Sequence, residues 1–165
     1  MAKHTNYVDG TVFHTQIKSV YSGTCGWAVN KQHEHMAKVV YDPAHENTAF
    51  NDERRGRGKD YATWIFSEEE GLKEGLFTTG FELMIDAGLE PGASIGLHTH
   101  FQTEEIYYIL EGSLRMTTVN ERGEEERCDL GPGDAHMVRL GQSHYGTAGP
   151  EGARFLAVAI RKSAG

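Results

Sequence analysis

Alternation of apolar and polar residues is clearest in the second half of the chain. Between Phe77 and Leu89, the apolar residues Phe81, Leu83 and Ile85 lie on one parity. This period of two predicts a half-buried β-strand. The Pro91-Gly92 pair that follows predicts a turn into the next extended segment.

Further short β-prone segments follow this strand at close spacing. Asn120 and Gly123 lie in a short polar loop between two of them, which predicts a hairpin. Gly-rich turns without a long helical periodicity favour an all-β fold, either an antiparallel sandwich or a barrel. The predicted segments are Glu105–Leu110, Leu114–Val119, Glu126–Leu130, Met137–Leu140 and Arg154–Ile160.

The first 75 residues show weaker patterns. Strand predictions for Thr11–Tyr21 and Thr24–Asn30 rest on β-branched and aromatic content alone, whereas Tyr61–Phe66 is more strongly β-prone. We therefore expect residues 1–75 to form an N-terminal extension of short strands and loops, and residues 76–165 to form the barrel.

Composition narrows the classes of partner. The chain of 165 residues suits one domain, and its formal net charge of −8 disfavours nucleic acid and anionic membranes, whose phosphates require clustered Lys and Arg. The start, MAKHTNYVDG, has no apolar leader segment, which predicts a cytoplasmic protein. In that compartment Cys25 and Cys128 are expected to be reduced thiols.

The chemistry-bearing stretch runs PGASIGLHTHFQTEEIYYILEG from Pro91 to Gly112. His98 and His100 are separated by one residue, so in an extended strand both imidazoles point to the same face. Glu104 and Glu105 follow, and a carboxylate from the next segment completes an open site for a first-row transition metal.

The spacing of this stretch resembles the first motif of the cupin superfamily. Five residues separate Gly92 from His98, four separate His100 from Glu105, and six separate Glu105 from Gly112. All three intervals fit that motif, whereas Glu104 leaves seven residues before the glycine. Glu105 is therefore the better ligand candidate.

The second cupin motif is also recognisable. Gly133, Gly141 and His144 hold the family spacing, while Arg139 replaces a proline and Ala148 replaces an asparagine. The resemblance implies a double-stranded β-helix, or jelly-roll, barrel. It also implies one divalent transition metal (Fe, Mn, Ni, Cu or Zn) held by His98, His100, Glu105 and His144, with histidines packed without metal as the alternative.

Each of two other polar features allows either a structural or a functional interpretation. His33 and His35 repeat the His-x-His pattern, but their flanks, KQHEHMAK, are polar and no glutamate follows at the motif distance, so we interpret them as surface residues. The charged run at residues 51–60 is expected to be a solvated loop, with a basic lid over an anionic substrate as the alternative.

Three residues are candidates for a catalytic role. Tyr107 shares a parity with Glu105, so its hydroxyl group either orients a substrate or is satisfied in the core. His136 and Arg139 lie on opposite parities of one strand, so a regular strand directs only one of them inwards. An inward Arg139 would favour a carboxylate substrate, and an inward His136 would favour proton transfer or a further metal contact.

Three functions remain open at this point. The first is an oxygenase-type enzyme that acts on a small organic substrate, such as a carboxylate. The second is a metal-dependent lyase or isomerase, and the third is a non-catalytic cupin that binds a small molecule. The family resemblance also implies a homodimer.

Overall fold

The computed structural model describes residues 8–9, 30–67 and 76–162. In these ranges the chain forms β-strands and two 3₁₀ turns, with no α-helix among them. The strands are β1 (Val8–Asp9), β2 (Ala37–Tyr41), β3 (Asp60–Phe66), β4 (Phe81–Leu89), β5 (Ser94–Thr99), β6 (Thr103–Val119), β7 (Glu125–Leu130), β8 (Ala135–Val138) and β9 (Ser143–Arg161).

The two longest strands, β6 and β9, organise the sheet. They pair antiparallel along almost their whole lengths, and each bends where the register shifts. The sheet order is β1-β2-β3-β4-β9-β6-β7, while β5 pairs with the first part of β9 and β8 with the first part of β6. Because each long strand contributes to both layers of the fold, the chain closes into the predicted jelly-roll barrel.

Most strand predictions after residue 60 are confirmed. The parity of Phe81, Leu83 and Ile85 continues into buried Ala87 and Leu89 on β4. β6 and β7 form the predicted hairpin, in which Leu114 pairs with Leu130 and Val119 with Glu125. The two segments predicted on either side of Gly112 are one strand that bends there.

Gly112 is required at this bend by close backbone packing. It has a φ of +71°, and a Cβ atom at this position would lie 2.1 Å from the carbonyl oxygen of Gly152 on β9. Only glycine combines a left-handed backbone with this approach at little cost. The bend is where the register between β6 and β9 shifts.

The N-terminal strands add to the same sheet. β2 pairs antiparallel with β3, and β3 with β4, so residues predicted as an extension widen one wall of the barrel. Residues 51–60 form a loop apart from the 3₁₀ turn Glu53–Arg55 and the first residue of β3. The boundary at residue 75 stays a prediction.

Several sequence-based predictions fall on residues outside the described ranges. These are the strand at Thr11–Tyr21, the strand at Thr24–Asn30 except for its last residue, and the state of Cys25. Cys128 is an exposed free thiol. Within the described residues, no helix is long and apolar enough to cross a membrane.

The core lies between the two layers of the barrel. Its main cluster includes Ile109, Leu114, Met116 and Phe155, each at most 1% exposed. A second cluster, around Val39 and neighbouring residues of β2 and β3, lies under the N-terminal strands. Burial of these side chains supplies most of the driving force for folding.

Candidate metal centre

The structure brings together the four side chains predicted as metal ligands. His98 lies on β5, His100 closely follows that strand, Glu105 lies near the start of β6 and His144 near the start of β9. His98 and His144 are directly paired across β5 and β9. One ligand atom from each of the four residues lies within 4.8 Å of all the others.

Three imidazole Nε2 atoms and one carboxylate oxygen converge on one point. The Nε2 atom of His144 is 3.0 Å from that of His98 and 3.1 Å from that of His100. Glu105 Oε2 is 3.4 Å from Nε2 of His100 and 3.5 Å from Nε2 of His144. Two ligands at right angles and about 2.1 Å from a metal ion are about 3.0 Å apart. The separations therefore fit adjacent ligands on one metal ion.

The hydrogen bonds that the described residues make around these atoms leave lone pairs without a partner, and a cation would supply that partner. Nδ1 of His98 donates to the carbonyl oxygen of Gly96 at 2.8 Å, so a neutral His98 presents a lone pair on Nε2. Oε2 of Glu105 is buried and has no hydrogen-bond partner among the described residues. Lone pairs that face one another in a buried site repel, and a bound cation removes that repulsion.

Electrostatics keeps the ligands in their metal-binding protonation states. Burial lowers the pKa of His98 to about 2 and also lowers the pKa of His144. For Glu105, burial opposes ionisation, but the adjacent imidazoles of His100 and His144 outweigh it and hold the pKa well below its usual range. Neutral imidazoles with one carboxylate are a suitable ligand set for a divalent transition metal.

The turn before β9 positions His100. The amide of His100 donates to the carbonyl oxygen of Gln142 at 3.0 Å, and the amide of Gly141 donates to the carbonyl oxygen of His100 at 2.8 Å. Although Arg139 stands where the second motif has proline, the turn closes because the amide of Gln142 donates to the carbonyl oxygen of Arg139. A φ of +81° at Gly141 permits this geometry.

His136 reaches the metal centre and Arg139 does not. Nε2 of His136 lies 3.0 Å from Nδ1 of His144, on the side of that ring opposite to the ligand atom. Burial lowers the pKa of His136 to about 4. The side chain of Arg139 is exposed and lines a separate surface depression with Asn120 and Glu121.

Tyr107 is buried beside the ligands. It is 3% exposed, and its ring centroid lies 5.4 Å from that of His144 and 4.5 Å from that of Phe155. Burial and the nearby carboxylates of Glu105 and Asp60 hold the pKa of Tyr107 well above its usual value. The hydroxyl group is therefore protonated at neutral pH and serves as a hydrogen-bond donor.

The metal ligands open onto a cavity of about 470 Å³. His98, His100 and Glu105 line it, and β3, β4 and β9 supply the facing walls. Three of its polar or aromatic residues were missed in the sequence: His45, Asp60 and Trp64. Asp60 and Trp64 share a parity on β3, a signal present in the sequence, whereas His45 lies in a loop without a periodic signal.

His45 covers one ligand of the centre. Its ring stacks on that of His98, with centroids 4.0 Å apart and planes 8° from parallel. Its φ of +48° is left-handed. The loop that carries it is held to β5, because the amide of Gly96 donates to the carbonyl oxygen of Ala44 and Asn47 Nδ2 donates to that of Leu97.

Comparison with known proteins finds a family match for one segment of the chain. A model of the cupin domain matches residues 86–159, the segment that carries all four ligands. These residues form a cupin domain.

Oxalate decarboxylases are among the proteins that resemble this chain. Oxalate decarboxylase OxdC from Bacillus subtilis is 40% identical over 98 residues, which are 59% of this chain but 24% of that enzyme. The chain thus spans about a quarter of the length of this curated relative. A solved structure that concerns the Mn(II) centres of the Bacillus enzyme has 27% identity and a TM-score of 0.53, covering 74% of this chain and 33% of that one.

A similar fold of comparable length is also known. A predicted oxalate decarboxylase from Thermotoga maritima has a TM-score of 0.55 and 25% identity, covering 79% of this chain and 97% of that one. The cupin fold and the His₃–Glu metal site of this chain therefore agree with the resemblance seen in the sequence.

The structure also places the two other polar features of the sequence, the His33–His35 segment and the charged loop at residues 51–60. His33 lies exposed in the 3₁₀ turn His33–His35, apart from the metal centre. The charged loop at residues 51–60 does not place Arg54, Arg55 or Arg57 in the cavity wall. Arg54 and Arg55 instead form exposed ion pairs with Asp52 and Glu46.

Proposed function

We propose that this cupin is a metal-dependent enzyme whose small organic substrate binds directly to the metal. The observation that carries this proposal is the opening of His98, His100 and Glu105 onto a cavity of about 470 Å³. Four protein ligands would leave coordination positions for a substrate on an ion that prefers six ligands. When bound, a redox-active metal supplies Lewis acidity and, with dioxygen, oxidation chemistry.

The residues around the ligands have distinct roles in this proposal. His136 accepts a hydrogen bond from Nδ1 of His144 and so keeps Nε2 of His144 available for the metal. The protonated hydroxyl group of Tyr107 donates a hydrogen bond to substrate or gives up a proton during turnover. Because Arg139 is exposed, the candidate catalytic residues reduce to Tyr107, with His136 as a positioning residue.

We favour oxygenase-type chemistry as the first candidate reaction. An oxygenase needs adjacent positions for substrate and dioxygen, together with surroundings that keep water out. The mainly apolar walls of the cavity meet the second requirement, and the ligand arrangement supports the first. A lyase of the decarboxylase kind is the second candidate, because the relatives are oxalate decarboxylases.

Nitric oxide, a probe of open positions on iron, tests this function. Anaerobic protein loaded with Fe(II) should give a nitrosyl EPR signal, and His98→Ala should lose both iron and signal. Wild-type protein that holds iron without forming a nitrosyl complex would contradict the oxygenase proposal.

Turnover assays then separate the reaction classes. Oxygen consumption with a panel of organic acids supports the oxygenase, whereas carbon dioxide release without net oxygen consumption supports the lyase. Tight binding of a panel member without turnover of any would support a non-catalytic cupin. The cytoplasmic location and the homodimer stay predictions.

A further inference from the structure

The cavity beyond the metal ligands is walled mainly by apolar side chains, five of which are alanine. Inward-facing residues of three adjacent strands share rows across the sheet: Ala62 pairs with Ala87 and Ala87 with Phe155, while Trp64 pairs with Ile85 and Ile85 with Ala157. Alanine at these positions leaves space that larger side chains would fill. The wall therefore accommodates an organic group rather than only water or a two-carbon acid.

The charged groups of this cavity are all acidic. Asp60, Glu82 and Glu105 line it, and among the described residues no Lys or Arg does. Glu105 belongs to the metal centre, and Glu82 is neutralised by Arg161 at 2.9 Å. The metal ion is thus the only cationic partner that the described wall provides for an anionic substrate group.

Asp60 adds an unsatisfied polar atom to this wall. It lies on the same face of β3 as Ala62 and Trp64, and its Oδ1 atom is buried without a hydrogen-bond partner among residues that the structure describes. When Asp60 is ionised, a second carboxylate on a substrate would meet this oxygen as a like charge in a low-dielectric site. A neutral substrate body would avoid that repulsion.

From these observations we infer that the substrate is a monoanion with an uncharged, mainly apolar body, and that small dicarboxylates such as oxalate are poor ligands. The single anionic group binds the metal, and the body fills the space beside Ala62, Ala87 and Ala157. This inference rests on the proposed function, because it assigns the substrate class of the same metal centre.

Binding of two simple acids to the full chain loaded with Mn(II) tests the inference. Phenylacetate carries one charge and an apolar body, whereas succinate is of similar length and carries two charges. At about pH 8, where both acids are fully ionised, we expect phenylacetate to bind at least about tenfold more tightly by calorimetry. Equal or tighter binding of succinate would overturn the inference.

Two variants test which residues of the cavity wall select between the two acids. Ala87→Leu should weaken phenylacetate binding about fivefold or more while leaving Mn(II) content unchanged, because the added side chain occupies the body site. Asp60→Asn should strengthen succinate binding about threefold or more without improving phenylacetate binding. If Ala87→Leu does not change the affinity for phenylacetate and Asp60→Asn does not change the affinity for succinate, the cavity wall does not select the substrate.

Failure of the underlying function has a different signature. Protein that binds no Mn(II) would contradict the metal-dependent enzyme itself, before any acid is tested. Protein that binds Mn(II) but prefers succinate would contradict only the substrate class. EPR of the bound Mn(II), recorded on the same samples, distinguishes these results.

Discussion

His136 and His144 are joined through their imidazole rings, with Nε2 of His136 3.0 Å from Nδ1 of His144. His144 is completely buried, so its ring has no access to solvent for an alternative hydrogen bond. When Nε2 of His144 binds a metal ion, the ring proton of His144 resides on Nδ1. Nδ1 then donates a hydrogen bond to Nε2 of His136. This hydrogen bond fixes the tautomer and the orientation of the ligand.

Removal of His136 should weaken metal binding without removing a ligand. We expect His136→Ala to lower metal affinity about 10- to 100-fold, as measured by competition with a chelator. Met137→Ala is the matched control, because this neighbour is 44% exposed on the opposite face of β8. Equal affinities for wild type and His136→Ala would show that His144 is oriented by other contacts.

Gly96 should be essential for the placement of His45 over His98. A Cβ atom at Gly96 would lie 2.0 Å from the carbonyl oxygen of His45 and 2.6 Å from that of Arg55, both backbone atoms that cannot move alone. We expect Gly96→Ala to displace the loop and destabilise the protein by about 2 kcal/mol or more in denaturant unfolding.

A glycine in open surroundings provides the control for this substitution. At Gly131 the nearest atom to an added Cβ is a carboxylate oxygen of Asp134 at 3.9 Å. Gly131→Ala should therefore change stability much less than Gly96→Ala. Similar losses for the two variants would argue against close packing of the loop on β5.

Tyr107→Phe tests the proposed donor role of the hydroxyl group. The substitution keeps the ring that packs beside Phe155 and removes only the oxygen atom, so metal content should remain at the wild-type level. For any substrate found by the turnover screen, we expect kcat to fall about 10- to 1000-fold. Arg139→Ala, at an exposed position outside the cavity, should keep kcat close to that of wild type.

Asp60 should make the stability of the metal-free protein depend on pH. Burial raises the pKa of Asp60 to about 7, whereas an unfolded chain releases this proton at about pH 4. Between these values the folded state binds more protons than the unfolded state, so stability falls as the pH rises from about 4 to 7. Linkage limits this loss to about 4 kcal/mol.

Asp60→Asn removes this titration, so the variant should gain stability relative to wild type as the pH rises. The measurement is urea unfolding of metal-free protein across this range, since a bound cation would itself favour ionisation of Asp60. Glu126→Gln, on the exposed strand β7, should follow the wild-type profile. A difference between wild type and Asp60→Asn that does not vary with pH would contradict the assignment.

Local patterns were sufficient to predict the candidate metal ligands, because the geometry of this cluster is mostly local in sequence. His98 and His100 flank one residue at the end of β5, and Glu105 enters with the next strand, so strand geometry and short spacing were sufficient. The position of His144 came from a family spacing. Its pairing with His98 depends on a strand contact 46 residues apart along the chain.

The other residues around the metal ligands could not be predicted in the same way. His45 reaches His98 through a left-handed residue and a loop packed on Gly96, and neither leaves a periodic signal. The parity of Asp60, Ala62 and Trp64 was visible, but the direction of that face depends on the pairing of β3 with β4. Equally, parity left His136 and Arg139 as alternatives, and only the tertiary structure showed which one contacts His144.

The most direct test of the central claim is the metal content of tag-free protein, measured by elemental analysis beside His98→Ala and His144→Ala. We expect about one divalent transition metal ion per folded wild-type chain and strong loss in both variants. Circular dichroism of each sample confirms that the β fold is intact. Folded wild-type protein that binds no metal, even after exposure to Mn(II), Fe(II) and Zn(II), would contradict the account.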